Sequence, residues 1–209
     1  MRFHSYLVLA VLLWLTPTAL LSDPQQEVAA LAAKAETGDA ASQFSLGAAY
    51  DSGHGVTRDL LKAALWYERA AKQGHQDAQF NLASLYDEGE GVRQDYRQAV
   101  YWYQKAADQG MPEASNNLGL MYVNGQGVDQ DYPKAFASFK AAAKKEFVDA
   151  QYNLGLLYQS GMGTRQDLLL AFEMFARAKG KHPDAAKAYQ LLFEQLTPQQ
   201  RSTALSVLN

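Results

Sequence analysis

Apolar and polar positions along the chain recur with a step of 36 residues. Leu46, Leu82, Leu118 and Leu154 share one column, and Tyr50, Tyr86, Tyr122 and Tyr158 another. The glycine pairs Gly53/Gly55, Gly89/Gly91, Gly125/Gly127 and Gly161/Gly163 keep the same step, as do Asp59, Asp95, Asp131 and Asp167. Ala63, Ala99, Ala135 and Ala171 follow, then Ala70, Ala106, Ala142 and Ala178. So many columns in register mark an internal repeat, in which each unit buries its apolar face only against its neighbours.

Each unit predicts two helices. The first runs from about Ala78 to Asp87, with Ala78, Leu82, Leu85 and Tyr86 on one stripe at helical spacing. Gly89-Glu90-Gly91 stops it, because glycine takes the left-handed backbone that ends a helix. Asp95 then stands where its carboxylate can cap a second helix running to about Gln109. The buried stripe of that helix is Ala99, Trp102, Tyr103 and Ala106, and Gly110 closes it. Pro112 and Pro183 fall at the start of first helices, where a missing N–H does no harm.

The stretch from Ala78 through Phe80, Asn81, Leu82, Leu85, Tyr86, Gly89 and Gly91 to Val92, followed by Asp95, Trp102, Ala106 and Gly110, resembles a Sel1-like repeat. That family is a relative of the tetratricopeptide repeat with a longer glycine-bearing turn. Four units cover residues 39–182, and a half-unit precedes them, since Ala35 and Gly38 align with Ala71 and Gly74. The later units depart from the pattern. Ser138 and Met174 replace the tryptophan of Trp66 and Trp102, Thr164 replaces the valine, and Glu146 and His182 replace the closing glycine. The fold expected is all-α: a right-handed superhelical solenoid of about four repeats, capped by residues 23–38 and by helices within residues 183–209.

The resemblance implies a concave groove lined by the face of each first helix that points away from the core stripe. Across the units its columns are Phe44, Phe80, Asn116, Tyr152, then Ser45, Asn81, Asn117, Asn153. Two more are Ala48, Ser84, Leu120, Leu156 and Asp51, Asp87, Val123, Gln159. Rings bury area against a partner segment while amides satisfy its backbone groups. An equally open reading is that asparagine is simply common at this place in the repeat.

Charge adds a polarity. Residues 23–110 carry 8 basic and 13 acidic side chains, and residues 111–209 carry 10 and 9. Asp77, Asp87, Glu88, Glu90 and Glu113 gather near the middle, where a basic partner surface would be steered. At the N-terminus, Arg2 precedes an apolar run from Tyr6 to Trp14 and then Thr16, Pro17 and Thr18, the layout of a secretory signal peptide. Residues 1–22 are therefore read as a leader, with a mature start near Asp23 in the periplasm or outside the cell; an uncleaved anchor is the alternative.

Other chemistry is sparse. The chain of 209 residues has no cysteine, which excludes a disulfide framework and thiolate metal sites. A net charge of −3 argues against a nucleic-acid binder. No phosphate loop, dinucleotide fingerprint or nucleophile elbow occurs, and the histidines hold no metal spacing. No catalytic residue, cofactor or metal is assigned, and a monomer is expected when free. The function expected is an exported protein-binding module or envelope adaptor. The alternatives are an immunity protein against a secreted lipase-type toxin, a glycan binder stacking on Tyr152 and Phe80, and an enzyme acting on β-lactams or peptidoglycan. For that last activity the chain lacks the Ser-x-x-Lys and Lys-Thr-Gly elements.

Overall fold

A computed structural model describes residues 23–207; the leader reading of residues 1–22 and the expected helix end at Leu208 lie outside them. Among the described residues there are eleven helices and no strand. They are α1 (Pro24–Glu36), α2 (Ala40–Ser52), α3 (Leu60–Lys72), α4 (Gln76–Glu88), α5 (Tyr96–Asp108), α6 (Pro112–Asn124), α7 (Tyr132–Ala143), α8 (Val148–Ser160), α9 (Leu168–Ala178), α10 (Ala185–Gln195) and α11 (Pro198–Val207). Helices α2 to α9 form four hairpins that pack in chain order, with α1 before them and α10 and α11 against α9. The molecule is an all-α solenoid.

Local chemistry builds each hairpin. Asp95 caps α5 as expected, accepting from the backbone N–H of Arg97 and Gln98. Asp59, Asp131 and Asp167 do the same for α3, α7 and α9. Backbone N–H groups of Asp59, Asp95, Asp131 and Asp167 also donate to the carbonyls of Tyr50, Tyr86, Tyr122 and Tyr158, which closes every turn. A third tie is a column the sequence reading did not single out. The side chains of Arg58, Gln94, Gln130 and Gln166 donate to the carbonyls of residues 51, 87, 123 and 159, satisfying otherwise free helix-end acceptors.

The two glycines of each pair serve different ends. Gly125 is the left-handed C-cap of α6, at φ 68°. Gly127, at φ 72°, lies against the Tyr96 carbonyl of the preceding unit, where any Cβ would collide with backbone. Gly55, Gly91 and Gly163 meet Pro24, Leu60 and Tyr132 in the same way. The second glycine therefore sets how closely successive units stack.

A ring column fills the interior: Tyr67, Tyr103, Phe139 and Phe175 are all fully buried. Each such side chain contributes about 1.5–3 kcal/mol through its burial. Gly47, Gly119 and Gly155 let α2, α6 and α8 lie against these rings, for a Cβ there would stand 2.7, 2.6 and 2.6 Å from them. The expected stripe of Ala99, Trp102, Tyr103 and Ala106 is buried. Of the first-helix stripe, Ala78, Leu82 and Leu85 are buried, and Tyr86 is half-buried.

The C-terminal end departs from the repeat register. Pro183 precedes Asp184, the N-cap of α10, and so lies outside that helix instead of opening it. Helix α10 buries Ala185 and Leu192, with Ala188 and Tyr189 half-buried. Leu192 occupies the column of Leu120 and Leu156, yet it packs on Phe172 and Phe175 of the last hairpin. This helix turns a different face inward and ends the array.

Candidate functional site

The face in question belongs to α2, α4, α6 and α8. Its predicted residues fall into three groups by what they touch. Leu120 and Leu156 are each 38% exposed on neighbouring first helices, and Ser45, Asp77 and Glu113 are exposed as well. Asp77 and Glu113 lie in the first turns of α4 and α6, where the helix dipole favours them. These five are the residues most accessible to another molecule.

The aromatic column is only half-exposed, because each ring leans on its own second helix or the next unit. Phe44 stacks on His75 at 4.5 Å and Tyr152 on His182 at 4.0 Å. Phe80 packs at 5.6 Å from Tyr103. Asn116, expected on the open face, is 5% exposed, and its Oδ1 accepts from Asn153 Nδ2 at 3.0 Å. An amide in a column otherwise held by rings sinks between two first helices and is satisfied there.

The amide and acid columns are tied to the interior. The Tyr67 hydroxyl donates to Asp51 Oδ2 at 3.1 Å, and the Asn81 side chain bonds the same hydroxyl. One unit on, the Tyr103 hydroxyl faces the side chains of Asn117, Ser84 and Asp87. Burial pushes the Tyr103 phenol up to about 12, with the Asn117 bond opposing and the Asp87 charge adding to the rise. Burial likewise raises the Tyr67 phenol. Burial also lifts the Asp87 carboxyl above its ordinary range, helped by the charge of Glu88 and opposed by the Tyr103 bond.

These hydroxyls are what the sequence reading missed. Tyr67 and Tyr103 count as core by spacing, and they are core, but each also carries a polar tip. The signal lies in two columns read together. Where the second helix has tyrosine, the first helix has Asp51 or Asp87; where it has Phe139 or Phe175, the first helix has Val123 or Gln159. Between units, a second internal network runs through glutamine. Gln73 and Gln109 donate to buried Gln43 and Gln79, which donate in turn to the Ala35 and Ala71 carbonyls.

The face therefore carries two kinds of surface. Around α2 and α4 it is acidic, with exposed Asp77 and half-buried Asp51 and Asp87; Ser84 and Glu88 are bonded to each other at 3.2 Å. Around α6 and α8 it adds Leu120, Leu156 and half-buried Val123 to exposed Glu113 and Asp149 in the first turns. Among the described residues no group of three or more acidic or histidine side chains could hold a metal ion. His75 instead caps α4 through its Nδ1.

The Sel1 repeat model matches residues 40–75, 76–111, 112–147 and 148–179. Among solved structures, an SLR-fold protein described as a protective antigen present in uropathogenic Escherichia coli strains is 37% identical, with a TM-score of 0.77. The match covers 80% of this chain and 36% of that one, so this chain spans about a third of the antigen's length. A Sel1 repeat protein from Oxalobacter formigenes is 28% identical at a TM-score of 0.77, over 88% of this chain and 78% of that one. A Sel1 repeat protein from Klebsiella pneumoniae is 28% identical at a TM-score of 0.53, covering 86% and 90%. No curated protein matches the sequence.

Proposed function

The chain belongs to the Sel1 repeat family, and from that premise we propose that it is a protein-binding module whose first-helix face grips a segment of a partner outside the cytoplasm. The observation that carries this reading is the mixed face: exposed carboxylates of Asp77, Glu113 and Asp149 in the first turns of α4, α6 and α8, and exposed Leu120 and Leu156 farther along α6 and α8. Carboxylates steer a basic stretch of the partner, and the leucines bury its apolar residues. The helices beneath are held by hydroxyl, amide and glutamine bonds, so little ordering entropy is lost on binding. Each amide of the file still has unused donor and acceptor capacity after its one internal bond.

Export rests on the apolar run from Tyr6 to Trp14 behind Arg2. Within that setting we assign an adaptor role to the module.

Affinity capture from cell-envelope extracts tests the reading, comparing the parent with a Leu120→Arg, Leu156→Arg variant. Both positions are surface residues, so the helical spectrum and melting temperature stay near the parent's while partner recovery falls at least about tenfold. Equal recovery by the folded variant rejects the face. The identity of the captured protein then separates roles: envelope machinery supports the adaptor, and a secreted toxic lipase makes the chain its immunity protein.

A further inference from the structure

The later units lack a tryptophan, and the space it leaves is open to the surface on the second-helix side. Trp66 packs against Ala35 and Leu46, and Trp102 is buried at the same place one unit on. In the third unit Ser138 takes this column, and a depression of about 430 Å³ is lined by Ala107, Leu118 and Ser138. In the fourth unit Met174 takes it, and a depression of about 180 Å³ remains, lined by Ala143, Leu154 and Met174. Ala107 and Ala143 hold the column of Ala35, and Leu118 and Leu154 that of Leu46. The two depressions are one site of the repeat seen twice, emptied by the loss of an indole. An apolar cavity of about 150 Å³ admits a benzene ring.

Their rims differ in charge. The third-unit rim carries Gln104, Asp108 and Lys134. The fourth-unit rim carries Lys140, Lys144 and Arg177, all exposed. Arg177 shares its charge with Glu173 at 2.6 Å, which leaves the rim positive. We propose that the fourth-unit socket between α7, α8 and α9 is a second docking site, which takes an aromatic side chain carried on an acidic protein segment. The ring occupies the apolar floor and the flanking carboxylates meet Lys140, Lys144 and Arg177. This site lies apart from the first-helix face and does not depend on it.

Two probe peptides test it, each with one central tryptophan, flanked by aspartates in one and by lysines in the other. The Met174 and Leu154 methyl resonances of the intact protein report occupancy. The expected result is a saturable shift with the acidic peptide and binding at least about fivefold weaker for the basic one. Met174→Trp, which restores this chain's own residue of the first two units, abolishes the Leu154 shift while the protein stays folded. Lys140→Glu with Lys144→Glu, surface changes that leave the floor intact, reverses the preference between peptides. No saturable shift, equal binding of both peptides, or a Leu154 shift that survives Met174→Trp overturns the proposal.

Discussion

The Tyr67 hydroxyl reaches across its own hairpin and donates to Asp51 Oδ2 at 3.1 Å. This bond joins a fully buried core ring to a residue of the proposed binding face. The third unit makes the same crossing with Phe139 and Val123, without a polar atom at either end.

Replacing both partners together should therefore cost less than the two single replacements added. Tyr67→Phe leaves Asp51 without its donor, and Asp51→Val leaves a buried hydroxyl short of its acceptor; each costs about 1 kcal/mol. The double variant reproduces the third unit's pairing, and the cycle should show coupling of about 0.5–1.5 kcal/mol. Urea denaturation of the four proteins measures it, and strict additivity contradicts the pairing.

The tyrosines also predict alkaline behaviour. Burial raises the phenols of Tyr67 and Tyr103, the latter to about 12, above the ordinary value of 10.0. The folded state then keeps protons that the unfolded chain releases, so stability is full below pH 10 and falls as pH rises from 10 toward 12. Tyr103→Phe should flatten that fall. Melting temperatures between pH 8 and 12 decide, and an unchanged slope in the variant counts against the buried phenol.

Acid acts in two opposite directions. Asp39, Asp59 and Asp131 are held below the ordinary carboxylate value by bonds from Ser42, Lys62 and Lys134 near their helix starts. Their contribution is complete above that value and is lost as pH falls through the lowered one. Asp87 is raised, so its charge weakens the fold above its own pKa, and protonation relieves this as pH falls. Asp87→Asn should remove the relief, and Asp59→Asn should shrink the loss at lower pH. Thermal melts from pH 7 to 3 separate the two, and identical profiles for both variants contradict the assignment.

Two glycines in the same unusual backbone region should respond differently to alanine. Gly110 has φ 89° and nothing within 4 Å of an added Cβ, so Gly110→Ala costs about 1–2 kcal/mol of backbone strain alone. Gly127→Ala adds a collision with the Tyr96 carbonyl and should lower stability well beyond that. Equal melting temperatures for the two variants would mean that the units do not stack through this contact.

The hairpins were legible because their signals are local. A repeat step, Asp95 before a helix and Gly89 after one depend on few neighbours; α4 extends one to two residues beyond the predicted span and α5 ends one residue short of it. The face was legible only in outline. Whether Asn116 is exposed depends on Asn153 one unit away, and whether Tyr103 is merely core depends on Asn117 and Asp87. The inward side of α10 follows from its own helical spacing of Ala185, Ala188, Tyr189 and Leu192, although those positions fall outside the register of the repeat.

Photo-crosslinking in living cells tests the binding face most directly. A photoreactive phenylalanine analogue is placed at Leu120, at Leu156 and, as a control on α5, at exposed Lys105. The same partner adduct should form from positions 120 and 156 and be absent from 105. A partner adduct from 105 with none from 120 and 156 would contradict the account.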